Sequence, residues 1–224
     1  LDGAKSIDGY LAQRPQKPYS YLLYSHLGDL YLDKQRYTDA ADAYRAFVAK
    51  DPNNEHAPIL EMQAIDAYKR GGFSALVLDG KKEFVEHYSL GTNFWQGRDP
   101  GAYPAIVKEL KTNVKDLAQY YHADAQKTKK PEAYAEAARW YRSYLASFPN
   151  DPDAAGTNYL LADTLFESQQ YRAAAQEYER TAYAYPFHDK SDEAGFAALV
   201  AYEKQETLLE GAPKAELHRQ NIDS

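Results

Sequence analysis

Apolar and polar positions follow the 3.6-residue period of an α-helix along most of the chain. The stretch from Tyr37 to Tyr44 has aromatic residues at both ends and alanines three and four residues after the first, which places these side chains on one stripe of a helix. The same order returns from Tyr171 to Tyr178, 134 positions later. The spacing therefore predicts two amphipathic helices that bury equivalent faces.

A third copy of this helix begins at Tyr134, displaced by 97 positions from the first copy and by 37 from the other. Each copy is followed by a proline, a residue that cannot continue a helix. The prolines are Pro52, Pro149 and Pro186. A further helical spacing precedes the first copy, from Tyr24 to Tyr31. The chain is therefore expected to consist of helix pairs, each with a first and a second helix.

The complete order of the first copy resembles the tetratricopeptide repeat (TPR). It reads Tyr24, Leu27, Gly28, Tyr31, Ala40, Tyr44 and Pro52, with Tyr24 in place of the usual tryptophan. The resemblance implies an all-α fold, an α-solenoid in which antiparallel helix pairs stack into a superhelix. It also implies that the first helices line a concave groove, where such proteins hold their partners.

The repeat period predicts a single array over residues 1–224. Its parts are the end of a preceding repeat (1–18), repeat 1 (19–54), a degenerate repeat 2 (55–88), an insertion loop and helix extension (89–117), repeat 3 (118–152), repeat 4 (153–188) and a partial repeat 5 (189–224). The segment from Tyr10 to Pro15 is similar to that from Tyr144 to Pro149. We therefore expect an excised piece of a longer array, although residues 1–18 could also be an irregular tail.

The groove positions of the family, carried over residue by residue, predict a partner-binding surface on the first helices. An aspartate recurs in one column as Asp29, Asp66 and Asp163, whereas repeats 3 and 5 carry Gln126 and Val200 there. The column predicts an acidic, aromatic-flanked groove for a basic or extended peptide. The alternative is that these are solvated polar positions. The candidate set is Leu22, Ser25, Asp29, Leu32, Met62, Asp66, Tyr159, Asp163 and Phe166, with Ile59 and Lys69 at further groove positions of repeat 2.

The insertion between repeats 2 and 3 lengthens the period by 24 residues. It is rich in glycine and proline, which is typical of a loop, and continues into a helix predicted over residues 105–127. Phe94, Trp95 and Tyr103 are its candidate binding side chains, because long loops in compact proteins are frequently functional. The alternative is that Phe94 and Trp95 fill the seam between the two repeats.

Composition narrows the classes of function. Lys plus Arg number 26 against 33 Asp plus Glu, and the net charge of −7 argues against a general nucleic-acid binder. No apolar run approaches the roughly 20 residues of a membrane span. The chain has no cysteine, and its six histidines lack a zinc-protease spacing. We therefore predict no metal, no cofactor and no catalytic residue. Most of the 21 tyrosines fall at packing positions of the repeat.

Repeat ends such as Ala146 to Pro149 and Ala184 to Pro186 are similar to those of bacterial envelope TPR proteins of the BamD-like and CpoB-like types. The resemblance implies a non-catalytic scaffold for a protein or peptide partner, periplasmic or outer-membrane-associated. A cytoplasmic location is the alternative, because a chain without cysteine suits both compartments.

Two other functions stay open from the sequence. The segment could be the docking or regulatory arm of an enzyme whose catalytic domain lies outside it, or a peptidoglycan- or polysaccharide-binding module that uses tyrosine rings as platforms. Several tyrosines exposed in one groove would favour a sugar ligand. A groove of aspartates and aliphatic side chains would favour a peptide.

Overall fold

The computed structural model describes residues 7, 9–11 and 18–208. Residues 18–208 contain nine α-helices and two short 3-10 helices, and the described residues include no strand, which confirms the predicted all-α class. Residues 1–6, 8, 12–17 and 209–224 lie outside the described part, and with them much of the predicted preceding repeat and the end of repeat 5. None of the described helices combines the length and apolar character that crossing a membrane requires.

The α-helices are short, except for one that follows the insertion. Their bounds are α1 Ser20–Asp33, α2 Tyr37–Val48, α3 Ala57–Arg70, α4 Ser74–Tyr88, α5 Pro104–Thr128, α6 Pro131–Ser147, α7 Ala154–Glu167, α8 Tyr171–Tyr183 and α9 Ser191–Thr207. The 3-10 helices are Asn93–Trp95 and Pro100–Ala102, both within the insertion.

The turns inside the helix pairs repeat the same backbone geometry. A three-residue turn joins α1 to α2, α3 to α4 and α7 to α8, and its middle residue has positive φ: 57° at Gln35, 74° at Gly72 and 63° at Gln169. The left-handed conformation ends the first helix and reverses the chain. Equivalent turns at equivalent positions show that the sequence period is also a structural period.

The chain divides into two compact units, with the boundary between Val114 and Lys115, inside α5. In the first unit α1 packs on α2, α2 on α3 and α3 on α4. In the second unit α6 packs on α7, α7 on α8 and α8 on α9. Each unit is therefore a stack of helix pairs in sequence order, which is the local arrangement of an α-solenoid.

The two helices of a pair approach each other where a large side chain meets a small one. A Cβ built on Gly28 of α1 would lie 2.7 Å from Cδ1 of Tyr44 in α2, and closer still to Cε1. In the next pair the sizes are exchanged, since a Cβ on Gly80 of α4 would lie 2.9 Å from Cγ1 of Ile65 in α3. Complementary volume at the crossing stabilises both of these pairs.

The insertion is packed into the first unit. Phe94 and Trp95 are buried, and the Phe94 ring packs edge-on against Tyr88 and Tyr103 at centroid distances of 5.1 and 6.3 Å. The indole Nε1 of Trp95 donates to the carbonyl oxygen of Tyr88 at 2.8 Å. These aromatic side chains belong to the core that covers the end of α4.

Candidate partner-binding surface

The first-helix surface of the first unit combines aliphatic and acidic side chains. Leu22 of α1 and Ile59 of α3 occupy equivalent repeat positions and are 38% and 39% exposed. Ser25, Leu32 and Met62 are half-buried beside them. The Tyr21 ring stacks on the His56 imidazole with centroids 3.5 Å apart, which ties α1 to the residue before α3. We call Leu22, Asp29, Ile59, Met62 and Asp66 the aliphatic-acidic surface.

Two aspartates of the predicted column accept hydrogen bonds from within the fold. The Tyr44 hydroxyl donates to Asp29 at 2.8 Å, and the Tyr178 hydroxyl donates to Asp163 at 2.5 Å. Donor and acceptor are 15 residues apart in both cases, so this bond is a feature of the repeat. The column thus helps to join the first helix of a pair to the second, besides presenting charge.

Repeat 2 departs from this arrangement. At the 37-residue displacement that relates Gln35 to Gly72, Lys81 stands where α2 carries Tyr44, and Asp66 pairs instead with Arg70 one turn along α3, at 2.7 Å. Asp29 and Asp66 are both exposed. Exposed carboxylates keep most of their hydration and remain able to attract a cationic ligand.

In the second unit the predicted residues Tyr159, Asp163 and Phe166 have contacts within the unit. The Tyr159 hydroxyl donates to Glu193 at 2.9 Å, and the Phe166 ring packs on Tyr171 at a centroid distance of 5.1 Å. Burial raises the pKa of Asp163, while the Tyr178 hydrogen bond opposes that change. The internal contacts leave less of this surface free than in the first unit.

His122 was missed by the sequence analysis although it occupies a repeat position. It lies 37 residues before Tyr159, on α5, and is buried. Its Nδ1 lies 3.1 Å from the Tyr141 hydroxyl, and its Nε2 lies 3.6 Å from Oε2 of Glu167. The 37-residue displacement was the signal that would have identified it. Nowhere in the described part of the chain do three His, Cys, Asp or Glu side chains form a group suited to a metal ion.

A buried carboxylate in the first unit was also missed. Glu61 on α3 is only 2% exposed, and its Oε2 lies 3.5 Å from Nδ1 of the exposed His87 on α4. That neighbouring carboxylate raises the pKa of His87, with Glu83 and Glu86 adding to the effect. The sequence offers no signal for this pair, because the two residues come from different helices.

The predicted insertion residues line no open surface. Phe94 and Trp95 are buried and Tyr103 is half-buried in the first unit, where Arg98 secures the loop. The Arg98 guanidinium donates to the carbonyl oxygen of Phe94 and, at 2.8 Å, to that of Asn53. The loop therefore contributes these aromatic side chains to the core of the first unit.

Comparison with known proteins adds structural likeness only. No family model and no curated protein matches the chain. The chain is similar to a solved structure from Podosopora anserina, described as a kinesin light chain with nearly identical TPR-like repeats, and to a single-substitution variant of that protein. In both comparisons the identity is 14%, the alignment covers 92% of this chain and 95% of the other, and the TM-score is 0.41.

Proposed function

We propose that this protein is a non-catalytic interaction scaffold that binds a basic peptide segment of a partner protein on its aliphatic-acidic surface. The observation that supports this function is the exposure of Leu22 and Ile59 at equivalent positions beside exposed Asp29 and Asp66. Aliphatic side chains supply buried area on binding, and the carboxylates select and orient a cationic segment.

A peptide suits this surface better than a polysaccharide. Sugar binding needs exposed aromatic faces, whereas the five residues of the aliphatic-acidic surface include no aromatic side chain. In the second unit the Tyr159 hydroxyl is bound to Glu193, and Lys190 lies over its ring at 5.3 Å from the centroid. A sugar would have to displace both contacts.

Selection from a random peptide library against the immobilised chain tests the proposal. We expect enrichment of peptides with Lys or Arg next to aliphatic residues. The double variant Asp29→Asn, Asp66→Asn keeps hydrogen-bond acceptors, including one for Tyr44, but removes two charges. Calorimetric titration should show that the selected peptides bind this variant about tenfold more weakly.

Asp79→Asn is the matched control, because Asp79 is an exposed acid on the second helix of the same pair as Asp66. We expect this variant to bind like the wild type. The proposal fails if the library yields no enriched class, or if Asp79→Asn weakens binding as much as the double variant.

We also propose that the protein acts in the bacterial envelope. Support comes from the repeat ends Phe148-Pro149 and Tyr185-Pro186, which are similar to those of envelope TPR proteins. Osmotic-shock fractionation of the source cells, followed by immunoblotting, should recover the protein outside the cytosol. Recovery with a cytosolic marker enzyme would contradict the location and leave the binding proposal intact.

A further inference from the structure

Two of the repeats carry acidic residues at successive turns of the first helix. Asp29 is followed by Asp33 on α1, and Asp163 is followed by Glu167 on α7, in both cases four residues later. Residues at this spacing lie one above the other on the same face of a helix. Each of these first helices therefore presents two carboxylates on one face.

The last turn of α3 breaks this pattern, because it contains Lys69 and Arg70. Arg70 lies 37 residues after Asp33, so at this repeat position a cation replaces the second acid. Its Nε lies 2.7 Å from Oδ2 of Asp66, and the two side chains are 59% and 50% exposed. Lys69 is exposed on the same turn and adds a second positive charge. The three side chains carry one net positive charge at the turn where α1 carries two negative charges.

The hydrogen-bond donors to Asp29 and Asp66 differ in charge. The neutral Tyr44 hydroxyl donates to Asp29 and leaves the charge of that carboxylate in place. The cationic Arg70 guanidinium donates to Asp66 and cancels its charge. Burial raises the pKa of Tyr44, its hydrogen bond to Asp29 and the charge of Asp66 add to this effect, and Arg70 opposes it. The ion pair of α3 therefore lies close enough to act on the hydroxyl that binds Asp29.

The exposure of these groups limits the size of the effect. Water screens exposed charges, so an ion pair one turn apart on a helix stabilises by only a small amount. A ligand cation can therefore displace Arg70 from Asp66, but it must also approach Lys69. On α1 it meets two carboxylates and no cation at the equivalent positions. The difference favours α1 severalfold rather than absolutely.

We propose that Lys69 and Arg70 confine the cations of a bound peptide to α1. Lys and Arg residues of the ligand bind Asp29 and Asp33. Its uncharged aliphatic residues lie on α3, over the exposed side chain of Ile59. This inference rests on the proposed function and specifies its ligand, which is a peptide with its positive charges clustered at one end.

Two short synthetic peptides of equal composition, both with blocked termini, test this placement. The clustered probe has two lysines at one end and leucines at the other, and it is made with the lysines at either end. The split probe has one lysine at each end. Fluorescence anisotropy with the full chain should show that the wild type binds the clustered probe about threefold more tightly. The double variant Lys69→Gln, Arg70→Gln should lose this preference, because Asp66 then attracts the second lysine.

Two further variants identify the groups responsible. Adding Asp66→Asn to the double variant should restore the preference for the clustered probe, because α3 then has no carboxylate to attract the second lysine. Arg36→Gln, Lys82→Gln is the matched control. It removes two cations that pair with Asp39 and Asp79 on second helices, and it should keep the preference of the wild type.

The outcomes separate this inference from the proposed function. A wild type that does not prefer the clustered probe, or an unchanged preference in Lys69→Gln, Arg70→Gln, would overturn the inference. Weaker binding of both probes to Asp29→Asn, Asp66→Asn would still support the proposed function in that case. If neither probe binds to any of these proteins, both fail. Circular dichroism melts identify any loss of fold, since a cation also stabilises a helix C-terminus.

Discussion

Gly28 is required by the ring of Tyr44, which occupies the space that a side chain at position 28 would need. The ring is fully buried, and its hydroxyl reaches Asp29 on the same first helix. This tyrosine therefore fills the space where the two helices of the pair cross, and its hydroxyl forms a hydrogen bond between them. The repeat keeps tyrosine at this position in its other well-matched copies because the residue serves both purposes.

Replacing Gly28 with alanine should destabilise the first unit. Its Cβ would overlap the Tyr44 ring, which is buried and cannot move aside freely. We expect a loss of about 1–3 kcal/mol in the free energy of unfolding, measured by urea titration. Gly156→Ala is the control, since nothing lies within 4 Å of a Cβ there and alanine favours a helix. Equal effects of both substitutions would show that the Tyr44 ring does not restrict position 28.

Removing the Tyr178 hydroxyl should lower the free energy of unfolding, because the half-buried Asp163 then lacks this hydrogen bond. In Tyr178→Phe the half-buried carboxylate loses its 2.5 Å donor, and the pKa of Asp163, already raised by burial, should rise further. We expect a loss of about 1–2 kcal/mol in the free energy of unfolding at neutral pH, and a smaller loss in acid. A loss of the same size at every pH would show that the effect does not depend on the charge of Asp163.

At the scale of elements, α3 and α4 are joined by the pair of Glu61 and His87. The neighbouring carboxylate raises the pKa of His87 in the folded state. A raised histidine pKa means stability that is complete below the unfolded value of about 6.5 and is lost as pH rises through the folded value. Partial exposure of His87 screens the interaction and limits its size.

The free energy of unfolding of the first unit should therefore fall from about pH 6 to about pH 8, by at most about 1 kcal/mol. In His87→Gln this decrease in the free energy of unfolding should be absent. Only the pH dependence caused by other groups should remain. Urea titrations of both proteins at several pH values provide the measurement. A slope that is the same in both proteins would rule out His87 as its source.

The insertion is held by contacts with α4 that fluorescence can detect. Trp95 is 7% exposed and hydrogen-bonded to the Tyr88 carbonyl oxygen, and the second tryptophan, Trp140, lies in the other unit. In a Trp140→Phe background we expect Trp95 to emit at short wavelength and to resist acrylamide. Arg98→Ala should increase quenching, because Arg98 joins the loop to Asn53. Strong quenching before that change would contradict the packed loop.

At the scale of the whole molecule, the net charge of −7 favours encounters with basic partners. The library-selected peptides should associate more slowly as salt increases, by about tenfold between low and high ionic strength, while dissociation changes less. Stopped-flow measurements at several salt concentrations provide the test. Association rates that do not depend on salt would show that the aspartates play no part in encounter.

Much of the architecture could be predicted because it is local. The spacing of Tyr37, Ala40, Ala41 and Tyr44 follows the 3.6-residue period and identifies the buried stripe of a helix. The 37-residue displacement identifies where the same stripe occurs again. The helix that the sequence predicts over residues 105–127 is α5, Pro104–Thr128. These features depend on residues close in sequence, so neighbours in space are not needed to identify them.

Only the tertiary structure decides which of these side chains are exposed to solvent. Asp29 and Asp163 look alike in the column, yet Asp163 is the more buried of the two because α8 and its neighbours surround it. Leu199 and Ala162 share a repeat position, yet one is exposed and the other buried. Periodicity assigns a side chain to a face, whereas exposure depends on whether another element packs there, and that element comes from elsewhere in the chain or from a partner.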